Sequence, residues 1–249
     1  MVRRACIVAG CFLTFGCGAA DDFGEGIAAD QDPIIGGVTD NGDPSVVAIF
    51  AHAPGETSGS LCSGAVISST KVLTAAHCVD PAVVGDGQVF EVLFGTTLSL
   101  TNSLAVASTA FDTEFDVNDL SAGHDIGMVT LAAPTTLKAL PFNRGSLGTG
   151  TVRLVGYGSN THQNTGAGTK RQATTTVTAS NDILVQIGNS QKQTCHGDSG
   201  GPAFQRFNGV EKIIGVTSFG SDRSTNSVCF GGGVDTRVDA ATTFIDANL

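Results

Sequence analysis

A chain of 249 residues that is 41% apolar, with 33 glycines, can bury the core of one globular unit or of two small fused ones. Charged residues make up only 14% and the formal net charge is −10, so the chain lacks the basic surface that a nucleic-acid partner requires; from Ile34 on, no basic cluster occurs beyond Lys170-Arg171. The glycines form neither a phosphate-cradling loop nor a dinucleotide fingerprint, and the seven cysteines contain no C-x-x-C pair that would point to zinc.

Met1-Val2-Arg3-Arg4 is a basic start followed by a short apolar stretch, Ala5 to Gly16, too short to cross a bilayer but suited to an export signal over residues 1–20. Three endings compete, of which Val8-Ala9-Gly10-Cys11 matches a lipobox better locally but leaves a very short apolar core. Thr14-Phe15-Gly16-Cys17 is an imperfect bacterial lipobox that makes Cys17 a candidate for lipidation and membrane anchoring, and Ala20 suits ordinary cleavage and secretion. Asp21, Asp22, Glu25, Asp30 and Asp32 then mark residues 21–33 as an acidic linker and pro-segment with little to bury.

From Ile34 on, short β-branched runs alternate with Gly, Asn, Asp and Ser turns, the pattern of an all-β barrel or sandwich. The predicted strands are Val46–Phe50, Ala65–Ser68, Lys71–Thr74, Val89–Phe94, Ala105–Thr109, Ile126–Leu131, Val152–Val155, Ala173–Thr178, Ile183–Ile187, Ala203–Phe207, Ile213–Ser218 and Val234–Val238. Between them, Gly95–Ser103 lacks the carboxylates of a calcium loop, and no metal is expected there. Asp112, Glu114, Asp116 and Asp119 read as a solvated acidic loop, with a cation site as the lesser alternative. Asp239 is expected to cap a closing helix through Ala240–Ala247, with Phe244 and Ile245 as its packing residues.

The chemistry concentrates in Gly197-Asp198-Ser199-Gly200-Gly201-Pro202. A serine between glycines has open backbone around its hydroxyl, but the hydroxyl becomes a useful nucleophile only when an imidazole takes its proton and a carboxylate orients that imidazole. The same pentapeptide fits the nucleophile elbow of α/β-hydrolases, which need their histidine after the serine; here His52, His77, His124, His162 and His196 all precede Ser199. The subtilisin order would need Asp40 or Asp43 as the acid, and the alternating β and α segments of that fold are missing. His77 in Leu73-Thr74-Ala75-Ala76-His77-Cys78 and Asp125 in Asp125-Ile126-Gly127-Met128 supply base and orienting acid. Together with Ile34-Ile35-Gly36-Gly37, these segments resemble, in identity and order, the chymotrypsin/trypsin family of serine endopeptidases, from Ile34 to the C-terminus.

The resemblance implies two six-stranded antiparallel β-barrels, the first over about residues 34–140 and the second over about 141–238, then a short C-terminal helix over about 239–248. It implies Ser199 as nucleophile, His77 as base, Asp125 as orienter, and an oxyanion hole at the Gly197 and Ser199 amides. It also implies disulfides Cys62–Cys78 and Cys195–Cys229, which require an oxidising compartment. For substrate binding it points to Gln193 at the bottom of the primary pocket, Ser218 and Gly220 on the strand edge, Gly233 and, near the back wall, Asp235. Gln193 supplies no charge and Asp235 could return one, so no strong preference for Arg or Lys is expected. Tyr157 and Phe219 stand where the family usually has tryptophan, which this chain lacks. Activation would pair the freed amino group of Ile34 with Asp198, but Gln31-Asp32-Pro33 precedes the cut where many zymogens carry Arg or Lys, so a separate protease is expected to make it. The expected molecule is a monomeric exported bacterial peptidase acting on proteins or peptides without a cofactor; the competing reading is a catalytically silent homologue that serves as a binding module.

Overall fold

The computed structural model describes residues 34–162, 164–221 and 229–249. The expected export signal, Cys17 and the acidic linker lie outside the described residues. Chain order begins with a two-residue strand, β1 (Val38–Thr39), and continues into a closed barrel of β2 (Val46–His52), β3 (Gly59–Val66), β4 (Lys71–Thr74), β5 (Val89–Leu93), β6 (Ser103–Phe111) and β7 (Gly127–Leu131). The barrel closes in the order β2-β3-β4-β7-β6-β5 with every pairing antiparallel. A second six-stranded barrel follows, built from β8 (Thr151–Gly156), β9 (Arg171–Ser180), β10 (Leu184–Ile187), β11 (Pro202–Phe207), β12 (Val210–Gly220) and β13 (Gly233–Arg237). It runs β9-β10-β13-β12-β11-β8 and closes through the β8–β9 pair.

The sequence pattern explains most of these strands. In β9, Ala173 and Thr175 are buried while Thr174 and Thr176 face out, the period of two that a half-buried strand requires. Between β11 and β12, Asn208 and Gly209 both have positive φ (50° and 84°), the backbone that a two-residue hairpin turn needs. β3 begins earlier than its apolar tail predicts, because Gly59 to Gly64 is held by tertiary pairing with β2 rather than by propensity. Gly64 is required there: a Cβ would sit 2.8 Å from Val72 Cγ1 and 3.1 Å from Ile49 Cδ1.

Three placements differ from expectation. Residues 34–39, expected at the start of the first barrel, belong to the second: β1 pairs with β9, and the fully buried Ile34 packs among Val152, Val185 and Ile214. A short helix, α1 (Pro81–Val84), follows the His77 turn, capped by Asp80, whose carboxylate accepts the Ala82 N–H at 2.9 Å. The closing helix, α2 (Thr242–Asn248), starts two residues later than expected and Asp239 does not cap it. The Asp239 carboxylate is instead engaged by the Arg237 guanidinium (2.7 and 3.0 Å), a stronger partner than an amide. Ile245 is fully buried, and Phe244 packs beside it on the same core.

The two barrels are joined through buried polar groups. The Tyr157 hydroxyl donates to the carbonyl of Gly95 (2.6 Å) and lies 3.2 Å from that of Val46, both in the first barrel. Lys170, 2% exposed, donates from Nζ to the Asp43 carbonyl (2.5 Å) and the Val46 carbonyl (3.2 Å). Burial pulls its ammonium pKa down, against the pull of Asp40 and Asp43. A cleft between the barrels is therefore walled by segments that are fixed relative to one another.

Candidate active site

His77 and Asp125 meet because of one strand register. β4 and β7 pair antiparallel with Thr74 opposite Gly127, so the chain leaving β4 and the chain entering β7 emerge side by side. His77 lies three residues beyond Thr74, in a single 3-10 turn, Ala76–Cys78, and the Cys62–Cys78 disulfide ties that turn to β3. Asp125 lies two residues before Gly127, fully buried. Its Oδ2 accepts His77 Nδ1 at 2.7 Å and its Oδ1 accepts the His77 backbone N–H at 2.9 Å. The Ser218 hydroxyl, from β12 of the second barrel, also donates to Oδ2. Burial pushes the Asp125 carboxyl up, but the bonds and charge of His77, together with Ser218, outweigh it and hold the carboxyl below the ordinary aspartate range. Sequence reasoning gave Ser218 to the substrate-binding edge; its hydroxyl belongs to the Asp125 shell.

Ser199 enters the cleft on the loop before β11 and lines, with His77, one cavity of about 320 Å³. Gly200 has φ +78°, and a Cβ there would fall 2.1 Å from Thr74 Oγ1, so only glycine lets the serine loop approach the first barrel this closely. Gly197 has φ +94°. Among the described residues, neither the Gly197 N–H nor the Ser199 N–H has an acceptor, so two adjacent backbone donors stand free. That arrangement suits a developing oxyanion.

The cavity is walled on one side by Thr194, the Cys195–Cys229 disulfide, Thr217 and Gly220. Gln193 does not reach it: the side chain is fully buried, with Nε2 donating to the Cys229 carbonyl (3.0 Å) and Oε1 accepting the Gly232 N–H (3.0 Å). Its carboxamide is spent on closing the wall. Behind this wall, a Cβ at Gly233 would meet Thr194 Oγ1 at 2.4 Å and Asp235 Oδ1 at 3.9 Å. Asp235 is fully buried, and among the described residues neither carboxylate oxygen has a well-formed hydrogen bond, though the Thr217 hydroxyl is nearby. Burial drives its pKa to about 8 against the Thr217 hydroxyl, with the charge of Asp198 adding a smaller rise. Asp198 is buried too, accepting the Gly158 N–H (2.8 Å) and the Cys195 N–H (2.9 Å); burial raises it to about 7 against those bonds and the charge of Arg171.

The rim on the His77 side is apolar, with Val83 of α1 and Val117 and Leu120 of the connection between β6 and β7. The acidic run lies beyond this rim. Asp112 and Glu114 flank His124 (Nδ1 to Oδ2 3.0 Å, Nε2 to Oε2 3.3 Å), and Asp116 and Asp119 accept from Asn118 and Ser121 within their own turns. The sequence reading of a solvated loop left out His124, which precedes Asp125 with φ +62°. Ser63 and Thr194 were also missed, because an isolated Ser or Thr carries no pattern of its own.

A family model described as Trypsin matches residues 34–245. Over 179 residues the chain is 32% identical to brachyurin of Leptuca pugilator, covering 64% of this chain and 76% of that protein. It is 28% identical over 221 residues to chymotrypsin-like elastase family member 1 of Bos taurus, covering 78% and 81%. Identity to alkaline trypsin C of Manduca sexta is 28% over 247 residues, or 89% and 93% of the two chains. The chain belongs to the trypsin family of chymotrypsin-like serine proteases, and it is a serine endopeptidase.

The orphaned Asp235 carboxyl has a consequence for stability. Folded, it keeps its proton up to about pH 8, whereas an unfolded aspartate loses it near about 4. The native state thus binds more protons between these values, and the contribution of this group to stability falls as pH rises through that window. Asp235→Asn is expected to raise the melting temperature relative to wild type at pH 8 and to lose that advantage toward pH 4. Thermal unfolding of both proteins across the window checks this; a difference that does not change with pH contradicts it.

Proposed function

We propose that the chain hydrolyses peptide bonds through an acyl-enzyme on Ser199. The observation that carries this reading is His77 held by Asp125 through both its ring and its amide, on the same cavity as Ser199. In this mechanism the Ser199 Oγ attacks the scissile carbonyl as His77 takes its proton, and His77 returns that proton to the leaving amine. Asp125 keeps the imidazole in the required tautomer, and the Gly197 and Ser199 amides bind the oxyanion. Water, deprotonated by the same His77, then attacks the acyl carbonyl and releases Ser199. An extended substrate lies along Ser218 to Gly220 as an added strand. Replacing Ser199 by Ala is expected to lower kcat roughly a millionfold, and a fluorophosphonate is expected to label the wild-type protein at Ser199. A folded wild-type protein that resists labelling is instead a silent homologue that binds without cleaving.

The primary pocket carries no fixed charge at neutral pH in this reading, because Gln193 is neutral and engaged and Asp235 holds its proton behind Thr194. The expected specificity therefore shows no strong preference for Arg or Lys before the scissile bond. A peptide-library profile dominated by cleavage after those residues overturns this.

Activation is proposed to follow cleavage before Ile34, whose new ammonium pairs with Asp198. Two features support it: Ile34 is already buried in the second barrel, and Ile35 pairs with Gln193. Among the described residues the buried Asp198 carboxyl accepts from two neutral amides, with the Arg171 charge acting on it from further off, so an arriving cation would let it ionise fully. Pairing raises the pKa of the ammonium above the free value of about 7.7–8.0, so its stabilisation is complete below that range. It is lost as pH climbs through the paired value, and activity falls on the alkaline side. Export through the leader places the precursor in a bacterial envelope, anchored where Cys17 is lipidated and soluble where cleavage follows Ala20; either way, the cut before Ile34 frees the domain. Mass analysis of membrane-bound and soluble forms is expected to find an acylated Cys17 on the precursor and Ile34 at the start of the active species. Full activity in a chain still joined across Pro33–Ile34 sinks the activation mechanism, and a precursor beginning at Asp21 sinks the anchor.

A further inference from the structure

The free amides of Gly197 and Ser199 owe their direction to what holds the surrounding peptide planes. In a trans peptide the carbonyl and the amide point opposite ways, so binding one aims the other. The plane carrying the Gly197 N–H is fixed by its other end, where the His196 carbonyl accepts the Ser159 N–H at 2.7 Å. The plane carrying the Ser199 N–H is fixed in the same way, with the Asp198 carbonyl accepting the Gly201 N–H at 2.8 Å. Between and beyond these lie two more planes, anchored at their N–H ends by the Cys195 carbonyl (Asp198 N–H, 3.0 Å) and the Thr217 carbonyl (Gly200 N–H, 2.8 Å), and a single residue of the first barrel takes the carbonyl end of both. Ser63 on β3 donates its hydroxyl to the Gly197 carbonyl at 2.8 Å and its backbone N–H to the Ser199 carbonyl at 2.8 Å.

Ser63 is itself fully buried and fixed. The Tyr157 N–H donates to its Oγ at 3.0 Å, which leaves the hydroxyl proton for the Gly197 carbonyl. Thr74 Oγ1 donates to its carbonyl at 2.9 Å. Glycines at 156 and 201 make room for it: a Cβ at Gly156 would lie 3.2 Å from Ser63 Oγ, and one at Gly201 would lie 3.1 Å from Ser63 Cβ. The segment it holds is Gly197-Asp198-Ser199-Gly200-Gly201, whose three glycines give it much backbone freedom to lose.

We propose that Ser63 is a positioning residue for the oxyanion hole: its hydroxyl locks the peptide plane linking the two donors, and thereby fixes the angle at which both meet the tetrahedral intermediate. The proposal rests on the acyl-enzyme reading above. Ser63 touches no reacting atom, so its loss should act on the oxyanion alone and leave substrate binding in place.

The test compares wild type, Ser63→Ala and Ser63→Cys on a peptide amide substrate, with rates normalised to Ser199 sites titrated by a fluorophosphonate so that unfolded protein does not count. Ser63→Ala is expected to lose roughly tenfold in kcat, the worth of one hydrogen bond, with KM changed by less than about twofold. Affinity for a peptide aldehyde, whose hemiacetal oxygen occupies the hole, should fall by the same factor, while affinity for the matching peptide alcohol, which has no carbonyl to place there, stays unchanged. Ser63→Cys keeps a weak donor at the same position and should lie between the two. A kcat per titrated site that stays within about twofold of wild type in Ser63→Ala overturns the proposal, as does a fall in kcat with no loss of aldehyde affinity. Wild type that cannot be labelled at Ser199 removes the acyl-enzyme reading and this one with it, whereas labelled wild type with an unaffected variant removes this one alone.

Discussion

A carboxylate sealed from water survives as an anion only when donors meet it on several sides, and the structure around the cleft is organised to provide them for Asp125. The amide and imidazole of His77 come from one barrel and the hydroxyl of Ser218 from the other. The anion is thus both the orienter of the imidazole and a tie between the two halves. Everything upstream serves this meeting. The β4–β7 register delivers His77 and Asp125 to the same barrel end, and the Cys62–Cys78 bridge keeps the histidine turn from swinging away.

The contrast with Asp198 and Asp235 shows how donor supply sets protonation. All three aspartates are buried to the same degree, within 1% of complete. Asp125 has a histidine partner and is held low; Asp198 has two neutral amides, Asp235 has no well-formed bond, and both are held high. Burial favours the neutral acid, and here the bonds and charge of His77, with Ser218, reverse it for Asp125 while two backbone amides do not for Asp198.

The parts of this arrangement that were legible in the sequence are those that repeat a pattern. Val and Thr alternation marks β9, and four short motifs in a fixed order mark Ser199, His77, Asp125 and the Ile34 segment. The parts that were not legible depend on contacts made across the fold. Ser63 reads as one serine in a Gly/Ser stretch until β3 is seen against the serine loop. Gln193 sits at the expected position, yet its amide faces the Cys229 and Gly232 backbone, a choice that the local sequence does not dictate. Asp239 has the right residue type for a helix cap and was outbid by Arg237, two residues away on the preceding strand. Residues 34–39 precede the first barrel in the chain, and nothing local says that they complete the second.

That last placement has a counterpart at the other terminus. β1 lies along β9 of the second barrel, while α2, at the far end of the chain, sets Ile245 into the cluster that holds the first barrel's core and faces Ala110 and Phe111 across a cavity of about 570 Å³. Each barrel is thus packed against by the end of the chain that belongs, in order, to the other, and these contacts exist only once the whole chain is present: Val38 pairs with Gln172, and Ile245 packs in the cluster that includes the first barrel's core. Divided in the connection between β7 and β8, the chain would yield two fragments, each with its six barrel strands but without the terminal segment that packs on it, so part of the coupling between the barrels lies in the path of the backbone itself.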